Sequence, residues 1–193
     1  MASMTASAVV EISEASHAPQ RVLVGLVGRG IQLSRTPAMH EAEGKAQNMA
    51  YIYQLLDTDR MAERIGGSSP KLADIMAYSE FFGFSGLNIT FPYKQEIISL
   101  LDDLSETAKA VGSVNTVVLR DGRRIGHNTD MWGFKQSFGH EMTNARRDSV
   151  LLLGAGGAGA AVAHALLDSD VAQLLISDVN GLKARELAER LAS

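Results

Sequence analysis

The chain has 193 residues, a formal net charge of −4, 46% hydrophobic and 21% charged residues, and no cysteine. Its mild acidity argues against a nucleic-acid partner, which needs a basic surface, and the lack of cysteine excludes disulfides and thiolate-bound zinc. No run approaches the roughly 20 apolar residues of a membrane helix, so the composition fits a globular protein of one medium domain or a little more, in a cytoplasmic setting and with no metal site expected.

Residues 1–20 are small, polar and weakly patterned, and no basic segment precedes an apolar one as in a secretory signal; a flexible tail is expected there. Residues 22–27 are apolar and β-branched and run into Gly28 and Gly30, which predicts a buried strand opening into a loop. Thr36-Pro37 predicts a helix start, with Thr36 as cap and Met39, Ala42 and Ala46 on one face. A second strand follows at 51–56. Ser68-Ser69-Pro70 announces a helix in which Leu72, Ile75, Met76 and Ser79 recur at helical spacing. A short strand at 84–89 ends at Asn88-Ile89-Thr90, and 94–101 reads as helical. Strands at 114–119 and 124–127 flank Asp121-Gly122, a strong hairpin turn. Strands alternating with helices predict an α/β substrate domain over 21–130, with a mixed, mainly parallel sheet.

A connecting helix and linker are expected over 131–147, and a new unit over 148–193. There a strand at 149–153 meets Gly154-Ala155-Gly156-Gly157-Ala158-Gly159, then an Ala-rich helix to about residue 167. A strand at 173–177 ends at Asp178, and Asn180 caps a last helix. Gly154, Gly156 and Gly159 satisfy G-x-G-x-x-G in the strand–loop–helix context that the motif requires. The first glycine permits the turn, the second lets backbone approach a pyrophosphate, and the third allows close packing; the helix N-terminus then offers N–H groups to phosphate. Asp178 can accept hydrogen bonds from both ribose hydroxyls and repels the extra phosphate of NADP, so NAD is expected over NADP. Lys183 lies within reach of the same cofactor, whereas Arg185 is expected to face solvent.

Polar residues cluster where the earlier strands end: Ser34 and Thr36; Asn88, Thr90 and Lys94; Asn115 and Thr116; Asn128, Thr129 and Asp130. Strand carboxyl ends are where ligands bind in α/β sheets. Hydroxyls and amides that both donate and accept suit a polyhydroxylated ligand, and Lys94 with Asp130 can serve as an acid–base pair. Taken singly, each of these residues could equally be a cap, a turn residue or a solvated charge.

In order, Ser34-Arg35-Thr36-Pro37, Asn88-Ile89-Thr90-Phe91-Pro92-Tyr93-Lys94, Val114-Asn115-Thr116, Asn128-Thr129-Asp130 and Gly154-Ala155-Gly156-Gly157-Ala158 resemble the motifs of the shikimate dehydrogenase family. The resemblance implies a substrate domain followed by a Rossmann-type nicotinamide-cofactor domain, and reversible oxidation of a ring hydroxyl of a small cyclic hydroxy acid. It puts Ser34 and Thr36 on the substrate carboxylate and Thr90, Lys94, Asn115 and Asp130 on the ring hydroxyls. Lys94 becomes the proton acceptor, paired with Asp130, while Gly154, Gly156, Gly157, Ala158, Asp178 and Lys183 face the cofactor. Two departures point to the NAD-dependent quinate/shikimate branch and a catabolic role. Gly28-Arg29-Gly30-Ile31-Gln32-Leu33 lacks the proline and histidine of biosynthetic members, and Asp178-Val179-Asn180 replaces the arginine-containing run of NADP users. The alternatives are an NADP-linked biosynthetic enzyme and a non-catalytic ligand-binding relative, as monomer or homodimer. Family members are longer, so the cofactor domain is expected to be incomplete here, with an uncovered apolar sheet face and little activity from these residues alone.

Overall fold

The computed structural model describes residues 20–192. The expected tail, apart from Gln20, lies outside the described residues. Strand β1 (Arg21–Gly28) becomes fully buried over its second half. It pairs in parallel with β2 (Ala50–Asp57) on one side and with β3 (Gly86–Ile89) on the other. Parallel neighbours need crossovers, supplied by α1 (Thr36–Ala46) and then by α2 (Thr58–Ile65) with α3 (Leu72–Phe81). A 3-10 turn at Glu96–Leu100 leads to β4 (Asp103–Leu104), α4 (Glu106–Val111), β5 (Thr116–Arg120) and β6 (Arg123–His127). The sheet runs β2-β1-β3-β5-β6-β4. Only the β3–β5 and β5–β6 pairings are antiparallel, so the sheet is mixed and mainly parallel.

Several expectations appear directly in the packing. Asp121 and Gly122 turn the β5–β6 hairpin with φ of 53° and 71°, the pair of positive values that a type I′ turn needs. Leu72, Ile75, Met76 and Ser79 are the buried face of α3, and the three apolar ones join Val27, Leu87, Ile89, Ile97 and Val117 in one core.

Other expectations fail for identifiable reasons. The Met39–Ala42–Ala46 face of α1 is exposed; α1 packs instead through Gly44, where a Cβ would stand 2.4 Å from that of Tyr51. Residues 94–101 form only the short 3-10 turn, because the Lys94 carbonyl accepts from Val114 N (2.8 Å) and is taken from the helical ladder. Helices α2 and α4 escaped the hydrophobic pattern, being short, yet their end signals are explicit. Asp57 caps α2 and Ser105 caps α4, and left-handed Gly66 and Gly112 end them.

Helix α5 (Asp130–Glu141) leads to a second, two-stranded parallel sheet of β7 (Val150–Leu153) and β8 (Leu174–Ser177). Between and after these strands come α6 (Gly157–Leu167) and α7 (Gly181–Ala192). Buried Ala160, Ala161 and Ala163 of α6 let it sit close to Val111 of α4 and Leu187 of α7, so the second core includes a residue from the first unit. On the other side of the two-stranded sheet Leu151, Leu153 and Leu175 are exposed. Among the described residues no helix is long and apolar enough to cross a membrane.

Helix α3 is fastened to β6 by Arg124, whose Nε and Nη2 donate to the two Glu80 carboxylate oxygens at 2.7 and 2.6 Å. The Arg124 hydrogen bonds hold the Glu80 carboxyl below its ordinary range, against the opposing effect of partial burial. A depressed folded-state pKa contributes stability above the unfolded carboxylate value, and that stability is lost as pH falls through the folded value. Replacing Glu80 with Gln is therefore expected to cost about 1 kcal/mol or less near neutrality. Denaturant titrations of the two proteins should converge in acid; a deficit that persists unchanged to low pH contradicts this account.

Candidate active site

The carboxyl ends of β1 and β3 are laced together. Thr90 N donates to Val27 O at 2.9 Å, and Arg29 N donates to Phe91 O at 3.0 Å. This approach depends on Gly28, where a Cβ would fall 2.4 Å from Thr90 Cγ2 and 2.8 Å from Ile31 Cγ2. Past the loop, Ser34 Oγ donates to Thr36 Oγ1 at 2.9 Å and accepts from Thr36 N at 3.3 Å. Thr36 is thus not the cap of α1. Arg35 holds that position without a side-chain bond, and the two hydroxyls form a half-buried pair.

Asp57, which ends β2, escaped the sequence reading. It is 3% exposed. One carboxylate oxygen accepts from Gly30 N (3.0 Å) and Asp59 N (3.2 Å), the other from Ile31 N (3.0 Å) and Gln32 Nε2 (2.9 Å). Burial alone would raise its pKa, but the Gln32 side chain and the backbone N–H groups outweigh it and hold the carboxyl below its ordinary value. An aspartate closing an apolar strand just before Thr58 was the available signal.

Two further segments meet at Asp130, the first residue of α5. Lys94 Nζ donates to its Oδ2 at 2.5 Å and Asn115 Nδ2 to its Oδ1 at 2.9 Å. The Lys94 side chain is only 17% exposed. Backbone fixes which way the Asn115 amide points: its Oδ1 accepts from Thr129 N at 3.0 Å, so its Nδ2 faces Asp130. The network continues to Thr116, which donates to Asn115 Oδ1 at 3.1 Å. Asn88 Nδ2 donates to Thr116 Oγ1 at 3.1 Å, and Tyr53 donates to Asn88 Oδ1 at 2.7 Å. Asn128 turns inward, donating to Ser113 and accepting from Met131 N. The structure therefore brings Lys94, Asn115 and Asp130 into direct contact and makes Asn128 their support.

The glycine loop follows the motif's geometry. Gly154 has φ of 104°, a conformation that favours glycine. A Cβ on Gly159 would lie 2.0 Å from Gly154 O, whereas Gly156 has open space around it. The first N–H groups of α6 have no intrahelical acceptor, so the loop fits a phosphate. Asp178 sits beside it, accepting from Ala155 N at 2.7 Å and Asn180 N at 2.8 Å. Those two bonds, with a smaller contribution from the Lys183 charge, lower its pKa. Lys183 is exposed and lines a cleft of about 540 Å³ with Ala155, Gln95 and Arg190.

Gly157 is a second constrained position of this loop. It faces the first unit, where a Cβ would meet those of Lys94 and Ser113 at 3.1 Å, and its carbonyl accepts from Ser113 Oγ at 3.0 Å. The loop thus abuts the backbone that carries Lys94. An apolar cleft of about 810 Å³, lined by Leu56, Ile75, Tyr78 and Phe82 among others, involves none of these groups. Substituting Gly159 by Ala is expected to destabilise by about 1–3 kcal/mol, as overpacking does, while Gly156→Ala should leave the denaturation midpoint nearly unchanged. Equal midpoints for the two variants count against the loop as described.

The pattern of the shikimate dehydrogenase substrate binding domain matches residues 26–117. The NAD(+) quinate/shikimate dehydrogenase of Corynebacterium glutamicum strain R is 46% identical over 169 residues, 87% of this chain and 58% of that protein. The NADP(+) shikimate dehydrogenase of Streptomyces avermitilis is 48% identical over 172 residues, 88% of this chain and 57% of that protein. The structure of Corynebacterium glutamicum quinate dehydrogenase in complex with NAD superposes with a TM-score of 0.80 at 45% identity, over 89% of this chain and 60% of that one. The chain thus spans well under two thirds of the length of these relatives. With five motifs in order, their residues gathered at the strand ends, and these matches over nearly all of its described length, the chain carries a shikimate dehydrogenase substrate binding domain and is similar beyond it to shikimate and quinate/shikimate dehydrogenases.

Proposed function

We propose that the protein carrying this chain is an NAD-dependent quinate/shikimate dehydrogenase, oxidising a ring hydroxyl of a cyclic hydroxy acid to the 3-dehydro acid. The observation that carries this reading is the Lys94–Asp130–Asn115 constellation lying against the glycine loop at Gly157. In this reading residues 21–130 bind substrate and 148–193 begin the cofactor unit. Ser34 and Thr36 take the substrate carboxylate, and Thr90, Lys94, Asn115 and Asp130 take the ring hydroxyls. Oxidation removes a proton from the hydroxyl and a hydride from its carbon. Lys94, in its neutral form, accepts the proton, and its ammonium returns one in the reverse direction; Asp130 holds its nitrogen in place. When bound, NAD accepts the hydride. Its phosphates suit Gly154, Gly156, Gly157 and Ala158, and its ribose suits Asp178, with Lys183 at the margin. The small-molecule substrate is the only partner invoked, in a cytoplasmic monomer or homodimer.

One observation favours a second reading. The Streptomyces avermitilis relative, of nearly the same identity, is an NADP(+) enzyme. The Asp178 carboxylate opposes the additional phosphate, since like charges at close range repel, which supports NAD. Lys94→Ala in the full-length enzyme should lower kcat by about 10²–10⁴-fold, the usual contribution of a positioned acid–base group, with a smaller change in KM. Steady-state rates with quinate and shikimate against each cofactor measure both points. Unchanged kcat in the variant removes Lys94 from the chemistry, and preference for NADP removes Asp178 as the discriminator.

A further inference from the structure

Asp57 is the most fully engaged buried carboxylate in the first unit, and three of its four donors belong to one short loop. Gly30 N, Ile31 N and Gln32 Nε2 converge on it at 2.9–3.0 Å. At the tip of this loop Gln32 and Leu33 are exposed. The anchor is transmitted onward, because the Ile31 carbonyl accepts from Ser34 N at 2.9 Å. Ser34 in turn sets the position of Thr36 through both its hydroxyl and the Thr36 N–H.

We propose that Asp57 is a positioning residue for the Ser34–Thr36 hydroxyl pair, and so sets how tightly the site holds the carboxylate of its substrate. This rests on the function reading above, which gives that pair the carboxylate. Three physical points support it. First, beyond Arg29, which bonds Phe91 O and pairs with Asp59, the next two backbone N–H groups of the loop both end on Asp57. Gly30 sits at φ of 65°, one of several conformations open to glycine, and the bond from its N–H to Asp57 selects it. Second, Asp57 is the C-terminal residue of β2, a strand paired to β1 along its whole length, Gly28↔Asp57 being the last pair. The anchor is therefore rigid relative to the loop's own origin. Third, four donors absorb the charge of the carboxylate. Its depressed pKa keeps it ionised through the neutral range, so its acceptors are always available to the loop while it adds little repulsion to an incoming anion.

Asp57 also caps α2 through Asp59 N, so a loss of affinity has to be separated from a loss of fold. Asp57→Asn does this, because Asn is an equally good cap but presents an N–H₂ group where one loop N–H now donates. The test is equilibrium binding of quinate and of its neutral carboxamide analogue to the chain, measured for wild type, Asp57→Asn and Gln32→Ala. Asp57→Asn should weaken quinate binding by about tenfold, the scale of one lost hydrogen bond to a charged group, and leave carboxamide affinity within about twofold. Gln32→Ala, which keeps the cap and both backbone bonds, should weaken quinate binding in the same sense by less. Equal weakening for both ligands, or none for either, overturns the positioning role. Failure of the unsubstituted chain to bind any ring acid overturns the function reading and this inference with it.

Discussion

The Asp130 carboxylate is shared between two donors that arrive from different parts of the chain. Lys94 comes from the loop after β3, and Asn115 from the residue before β5. Each contact constrains a backbone segment as well as a side chain. The Lys94 carbonyl is bonded to Val114 N, one residue before Asn115, and Asn115 accepts from Thr129 N, one residue before Asp130. The three functional groups are thus tied at both main chain and side chain, and none can shift alone. A triad held this way is pre-organised, which suits the proton transfer proposed for it.

The second unit docks onto the same segments. Gly157 rests against Lys94 and Ser113, and Ser113 in turn is held by Asn128. Small residues make this possible: a Cβ at position 157 would crowd both neighbours, and the alanines of α6 admit Val111 and Leu187 to the same core. In the function proposed above, the glycine loop has two jobs with one composition. Gly156 has open space around it, with room for a phosphate, while Gly157 closes the distance to Lys94, the partner of Asp130. A hydride acceptor seated on that loop would extend toward the site from a fixed origin.

Much of this could be read from residues alone, because glycine, proline, asparagine and paired charges carry conformational meaning at short range. Asp121-Gly122, the α3 stripe of Leu72, Ile75, Met76 and Ser79, and the strand–loop–helix around Gly154 all appear as expected. What sequence hid depends on tertiary bonds. The helix expected at 94–101 is shortened because a distant N–H takes the Lys94 carbonyl. The apolar-looking face of α1 turns outward because Gly44 offers a closer approach to Tyr51 than Met39 would. Asp57 escaped notice altogether, and only the folded chain shows that it caps α2 and fastens a loop 25 to 27 residues upstream. For the candidate site, the polar residues at the strand ends were legible, whereas the bonds that tie them together, and Asp57 behind Ser34, were not.

The central claim is that these strand ends, and no other surface, form the seat of a cyclic hydroxy acid. Amide chemical shifts of the chain, followed while quinate or shikimate is added, test it most directly. The account predicts saturable changes at Ser34, Thr36, Thr90, Lys94, Asn115 and Asp130, with the first turn of α5 following. Changes confined to the apolar cleft of Ile75, Tyr78 and Phe82, or no saturable change anywhere, would contradict it.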